Sequence, residues 1–143
     1  MARLGRLGLT AHAGEDAPVE YVWQAVDELG VDRIGHGCAA AQDPELVRRL
    51  ARDKIAVEVC LSSNYHTGAV KPGTRHPLHA FLEAGVRVAL CCDNSTVSRT
   101  DAVRESALAA FQVGLEAVER IHREADALTF IRPETALPEG SED

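Results

Sequence analysis

No apolar run in the sequence approaches the roughly 18 residues that a bilayer span requires, and the opening Met1-Ala2-Arg3-Leu4-Gly5-Arg6-Leu7 is too short and too quickly polar for a signal peptide. A membrane partner is therefore not expected, and a cytoplasmic location is. Positive charge is also in short supply: 15 Lys and Arg stand against 22 Asp and Glu, for a net charge of −7. A nucleic-acid backbone or an anionic lipid surface rewards clustered positive charge, so neither is expected as the main partner. A small molecule or a protein fits better. The four cysteines, Cys38, Cys60, Cys91 and Cys92, include no C-x-x-C pair, and two of them are adjacent. That pattern suits reduced, mostly buried thiols rather than a stapling framework. What the sequence does contain is 45% hydrophobic and 26% charged residues, the balance of one folded domain rather than a disordered chain.

Strand-like and helix-like runs alternate, and every strand-like run ends in residues with chemical capacity. The first, Leu7-Gly8-Leu9-Thr10-Ala11, leads into His12-Ala13-Gly14-Glu15. An amphipathic helix follows, with Val19, Val22, Trp23, Val26 and Leu29 at helical spacing, Asp16 as its cap, Pro18 in its first turn and Gly30 at its end. The second strand, Arg33-Ile34-Gly35, closes on His36-Gly37, and the next helix begins near Asp43-Pro44 and buries Leu46, Val47 and Leu50. The third, Ile55 to Val59, ends in the polar run Cys60-Leu61-Ser62-Ser63-Asn64. After a loop and a helix over Pro77 to Glu83, the fourth, Val86 to Cys92, ends in Asp93-Asn94-Ser95. Val103, Ala107, Leu108, Phe111, Leu115, Val118 and Ile121 then describe one apolar stripe, broken near Gly114. A loose acidic tail is expected over 132–143.

Strands alternating with helices imply parallel pairing through right-handed crossovers, hence an α/β class. Four such βα units amount to half of the roughly 250 residues of a closed eight-stranded barrel; an open four-stranded sheet is the competing architecture. In either, the loops after the strands share one face, where His12, Glu15, His36, Asn64 and Asp93 would converge. Taken alone, His12 and Glu15 could equally be a hydrogen-bonded strand-end imidazole and a first-turn acid. The glycines around His36 point more towards function, because packing an imidazole rarely needs that backbone freedom. An acid at the end of a buried strand, such as Asp93, needs a cation, a metal or donors. Two histidines and two acids suit a metal such as zinc, which can turn bound water into hydroxide near neutral pH.

His12-Ala13-Gly14-Glu15, Ile34-Gly35-His36-Gly37, Glu58-Val59-Cys60-Leu61-Ser62-Ser63-Asn64 and Cys92-Asp93-Asn94, in that order and spacing, resemble the second half of an adenosine deaminase of the amidohydrolase superfamily. The resemblance runs from about Leu7 to about Ile131 and implies the C-terminal half of a TIM-like (β/α)8 barrel followed by C-terminal helices. It also implies a single partial domain over 1–143, one zinc ion, and hydrolysis of the 6-amino group of adenosine or a related purine nucleoside to an inosine-type product and ammonia. By the same resemblance His12 and Asp93 are metal ligands, Glu15 hands a proton to the purine ring nitrogen, and His36 orients the attacking hydroxide. Asp93 also helps activate the water, and Gly14 and Asn94 meet the substrate. Deaminases built on a C-x-x-C zinc pair are a different solution, and that pair is missing here.

The family takes two further zinc ligands from an H-x-H pair, which this sequence does not contain. His12 and Asp93 alone would leave too few ligands for a catalytic zinc site. Three expectations follow: a deaminase half completed by a second barrel half, a noncatalytic remnant acting as a binding module, or self-association of two half-barrels. In each, open sheet edges and an apolar inner face are expected to need cover.

Overall fold

In the computed structural model, which describes residues 7–130, the alternation of strand and helix becomes one parallel sheet. Its strands are β1 (Thr10–Ala13), β2 (Arg33–His36), β3 (Ala56–Val59) and β4 (Val88–Leu90), neighbours in chain order. Their register sets Thr10 beside Arg33 and Ala56, and His12 beside Gly35, Glu58 and Ala89. Consecutive βα units that pair in order form the wall of a barrel, whereas a doubly wound open sheet reverses its strand order at a switch point. The fold is therefore α/β and partial-barrel-like. The helices are α1 (Glu20–Gln24), α2 (Pro44–Asp53), α3 (Leu61–His66), α4 (Leu78–Glu83), α5 (Ser95–Ser98), α6 (Ala102–Val113) and α7 (Leu115–Ala125).

One sheet face carries the core. Ala13, Ile34, Val57, Val59 and Val88 alternate onto it and are buried with Val22, Leu46, Leu50 and Phe81. The opposite face is polar, not apolar as expected from the sequence. Thr10 and His12 are exposed on it, Arg33 pairs with Glu58 at 3.0 Å, and the Thr10 hydroxyl donates to Glu58 at 3.4 Å.

Several boundaries differ from those read in the sequence. β1 starts at Thr10 rather than Leu7 because its partner strand starts at Arg33, so Leu7 has nothing to pair with and is 82% exposed. His12 thus lies within the strand. No side chain caps α1, whose N-cap is Val19, and Asp16 sits in a bend before it. After Gln24 the helix widens into a π-turn over Ala25–Leu29, closed by the Gly30 N–H returning to the Ala25 carbonyl. The wider turn rotates Leu29 off the core, leaving it 62% exposed. Ser62, Ser63 and Asn64 belong to α3, not to a loop. The C-terminal stripe is two helices broken at Gly114 (φ 86°), and the break separates their faces. Val118 and Ile121 are buried while Val103 and Phe111 are exposed. The acidic segment 132–143, and Ile131 at the end of the resemblance, lie outside the described residues.

The second unit matches its sequence reading. Asp43 caps α2, accepting from the Glu45 and Leu46 N–H groups at 2.9 and 3.2 Å, with Pro44 in the first turn. Its second oxygen accepts from the Trp23 indole at 2.9 Å, which ties α2 to α1. These bonds, the indole's first, hold the Asp43 carboxyl below the ordinary carboxylate range.

Because Leu50 is fully buried, Leu50→Ala should cost about 2–5 kcal/mol in urea unfolding. Leu29→Ala, on the rotated turn, should stay within about 0.5 kcal/mol. Asp43 has a depressed folded-state pKa, so its contribution is complete above the ordinary carboxylate range and is lost as pH falls through the folded value. The gap in urea midpoint between the native protein and Asp43→Ala should accordingly be full at pH 7 and narrow in acid; a pH-independent gap would contradict the charge-assisted cap.

Candidate active site

The carboxyl ends of the strands bring the sequence-separated acids and imidazoles together. One ligand atom each from Glu15, His36 and Asp93 lies within 4.8 Å of the other two. His36 is buried, Glu15 is half-buried and Asp93 is exposed. His36 Nε2 stands 3.5 Å from a Glu15 oxygen. His12 lies outside this trio, its ring meeting that of His36 edge-on at 5.0 Å between centroids.

Backbone geometry explains the convergence. His12 faces Gly35 across the β1–β2 ladder, and its imidazole lies flat over that residue. A Cβ at Gly35 would overlap His12 Cδ2 and stand 2.9 Å from Nε2, so the glycine is needed for close approach rather than for an unusual φ. Gly14 does need its conformation: φ is +67°, and a Cβ there would stand 2.5 Å from Val22 Cγ2. The turn it makes returns Glu15 to the site, and its carbonyl accepts from the Ala39 N–H at 2.8 Å. His36 and Asp93 themselves adopt left-handed backbone, φ 64° and 55°. That conformation is uncommon without glycine and costs on the order of 1–3 kcal/mol per residue, a strain concentrated at functional positions.

Ser63 and His76, not singled out in the sequence, also shape the site, together with Asn64. The Ser63 hydroxyl, on α3, donates to an Asp93 oxygen at 2.7 Å. Beneath His36, Asn64 and His76 are buried in series: His36 Nδ1 is 3.0 Å from Asn64 Oδ1, and Asn64 Nδ2 is 3.2 Å from His76 Nε2. The available signal was the polar run directly after β3 and a histidine immediately before Pro77 at the next helix start. Asn94 acts as a cap. Its side-chain oxygen accepts from the Thr96 and Val97 N–H groups at 3.1 and 2.9 Å, at the start of α5.

α3 is anchored from below by the buried Glu105, which accepts from the Ser62 N–H and the Thr100 hydroxyl at 3.2 and 2.7 Å. All four cysteines are free; Cys38 and Cys60 are buried, while Cys91 and Cys92 are half-buried. Burial, then the nearby Glu15, pushes the Cys38 thiol up to about 12, which removes it as a nucleophile near neutral pH. His66, His79 and His122 take no part in the trio. A cleft of about 290 Å³ lined by Arg33, Arg87 and Phe130 opens near the strand starts, away from the acids and imidazoles.

The donor set fits a divalent cation in kind. Imidazole and carboxylate are zinc ligands; Asp93 belongs to the trio within 4.8 Å, and His12 stands beside that trio with its ring 5.0 Å from the ring of His36.

Residues 1–135 match the family model described as Adenosine deaminase. An adenosine deaminase of Shewanella loihica is 42% identical over 127 residues, covering 87% of this chain and 38% of the relative. One from Klebsiella pneumoniae subsp. pneumoniae is 42% identical over 122 residues, covering 85% and 37%. Among solved structures, a zinc-bound amidohydrolase from Burkhoderia ambifaria superposes with a TM-score of 0.77 at 25% identity, covering 90% of this chain and 37% of that one. The Arabidopsis N6-mAMP deaminase superposes at 0.78 with 30% identity, covering 89% and 38%. The chain thus spans somewhat over a third of the length of the curated relatives it matches.

If Gly35 exists to seat His12, Gly35→Ala should destabilise the fold by about 1–3 kcal/mol in urea unfolding, as overpacking does. In a His12→Ala background, where the overlap is gone, the same change should cost clearly less. Equal costs in the two backgrounds would remove the steric account.

Proposed function

Because this chain belongs to the adenosine deaminase family, we propose that it carries the acid–base residues and part of the metal site of a zinc-dependent hydrolytic purine deaminase. The observation that carries the reading is the convergence of Glu15, His36 and Asp93 at the carboxyl ends of a parallel sheet. His12 and Asp93 would hold the ion. When bound, zinc supplies the Lewis acidity that brings the deprotonation of water close to neutral pH.

The chain's own residues account for the remaining steps. Glu15, brought in by the Gly14 turn, donates a proton to a purine ring nitrogen, which makes the adjacent carbon bearing the amino group electrophilic. Asp93, oriented by the Ser63 hydroxyl, takes the proton from the attacking water. His36 directs a ring nitrogen at the entering oxygen and stabilises the charge that develops there. Overall, water and the 6-aminopurine give the 6-oxopurine and ammonia. Relatives named adenosine, adenine and N6-methyl-AMP deaminases share this half, so the choice of purine is assigned to contacts outside it.

The H-x-H pair that the family resemblance calls for is not encoded in these residues. Turnover is therefore proposed to need a complementing segment that supplies it, in the same polypeptide or in another. The test combines elemental analysis for zinc with release of ammonia from adenosine and adenine and of methylamine from N6-methyl-AMP. It is run on the purified chain alone and with a separately produced segment that supplies an H-x-H pair. Alone, weak zinc retention and little ammonia are expected; with the segment, both should rise. Glu15→Gln should then lower turnover by about 10²–10⁴-fold, the usual share of a general acid, while zinc content is unchanged. Stoichiometric zinc and rapid turnover by the chain alone would refute the need for a complement. Zinc-loaded, complemented protein that releases neither ammonia nor methylamine from any of the three would overturn the deaminase reading in favour of a binding module.

A further inference from the structure

The groups buried beneath His36 set which of its ring nitrogens carries the proton of the neutral ring. Asn64 is fully buried and His36 and His76 are each 2% exposed, so their polar atoms must find partners within the protein. The chain of bonds starts at α4, where the Leu78 N–H points at His76 Nδ1 at 3.0 Å. A backbone amide can only donate, so Nδ1 holds a lone pair and the proton of the neutral ring is on Nε2. Burial, with a smaller contribution from His79, pushes the His76 imidazole down to about 4 and keeps it neutral.

His76 Nε2–H in turn faces the Asn64 side chain at 3.2 Å and needs an acceptor there. A half-turn of the amide, whose oxygen and nitrogen ends have nearly the same size and shape, places Asn64 Oδ1 at that position and its NH2 at His36 Nδ1. The other orientation requires a proton on His76 Nδ1, directly opposed to the Leu78 N–H, and leaves a buried donor unpaired. With the amide turned, Asn64 donates to His36 Nδ1 over 3.0 Å. The remaining proton of a neutral His36 is then on Nε2, the nitrogen that faces Glu15 at 3.5 Å.

We propose that the Leu78 backbone amide, acting through His76 and Asn64, locks His36 in the Nε2–H tautomer, so that His36 presents a hydrogen-bond donor and not a metal-binding lone pair to the site. His76 and Asn64 are positioning residues. The proposal rests on the deaminase reading only for its consequence. A fixed donor suits an oxygen on which negative charge develops, and it leaves His12 and Asp93, not His36, to hold a cation.

The test is a two-bond ¹H–¹⁵N correlation spectrum of the labelled chain at pH 7 without metal or substrate, with His36 and His76 assigned by single substitution. Both rings should show a protonated Nε2 and an unprotonated Nδ1. A protonated Nδ1 on His36, with or without a protonated Nε2, overturns the proposal. Asn64→Asp, which keeps the shape but can only accept, should move a proton onto His36 Nδ1 while His76 keeps Nε2–H. An unchanged His36 in folded Asn64→Asp would equally overturn the relay. If that variant does not fold, the native spectrum decides alone. Neither readout depends on turnover, so a failed deaminase assay leaves the tautomer question separately answered.

Discussion

The site depends on the register between β1 and β2, which sets His12 opposite Gly35 and Ala13 opposite His36. A slip of one residue would carry every side chain of a strand to the other sheet face. Here that exchange would push Ala13 onto the charged face and drive His12 into the apolar core that holds Ile34 and Val57. The contrast between the two faces therefore pins the register far more firmly than the ladder hydrogen bonds alone. Past the strand ends, the Gly37 and Ala39 N–H groups bond to the Ala13 and Gly14 carbonyls at 3.1 and 2.8 Å, so pairing continues into the loops that carry Glu15 and His36.

Precision at such a site has to come from below, because its rim is open. Among the described residues, four non-glycine positions have positive φ, and they divide by purpose. Lys54 and Arg99 end helices, where a left-handed residue is ordinary. His36 ends β2 and Asp93 follows β4, and both belong to the converging trio. Their strain persists because neighbours hold each side chain: Ser63 fixes Asp93, and Asn64 fixes His36. Both supports lie on α3, whose start is held by the buried Glu105 through Ser62. The helix that looked like a polar strand end in the sequence is thus the platform under two of the site's functional groups.

The elements legible in sequence were those whose local signals agree with their tertiary role. Asp43-Pro44 opens α2 and Leu46, Val47 and Leu50 are its buried stripe, because cap chemistry and periodicity both point the same way. The convergence was legible for a related reason: a parallel α/β chain sends every strand end to one side, so Glu15, His36 and Asp93 had to meet. Less legible were features decided by partners. Leu7 reads as strand but lies outside the β1–β2 ladder, which starts at Thr10 opposite Arg33, and Leu29 fits a 3.6-residue period that the π-turn breaks. Phe111 and Val118 fit one stripe only if Gly114 lets the helix run straight, which it does not. The Asn64–His76 contact joins residues on either side of a loop and shows no periodicity at all.

Charge balance connects the polar sheet face to the site above it. Glu58 shares the row of His12 and Gly35, one strand beyond the glycine. Its charge is met by Arg33 at 3.0 Å, so the layer beneath the site contributes an ion pair rather than a net field. No such compensation reaches Glu15 and Asp93: among the described residues neither forms an ion pair with a Lys or Arg, and their neighbours are imidazoles and a serine hydroxyl. Two acids gathered without a fixed cation mark the place where positive charge has to be supplied from outside, by a proton or a metal ion. Arg33 therefore screens the acid that belongs to the structure, while the acids assigned to chemistry remain open to a cation.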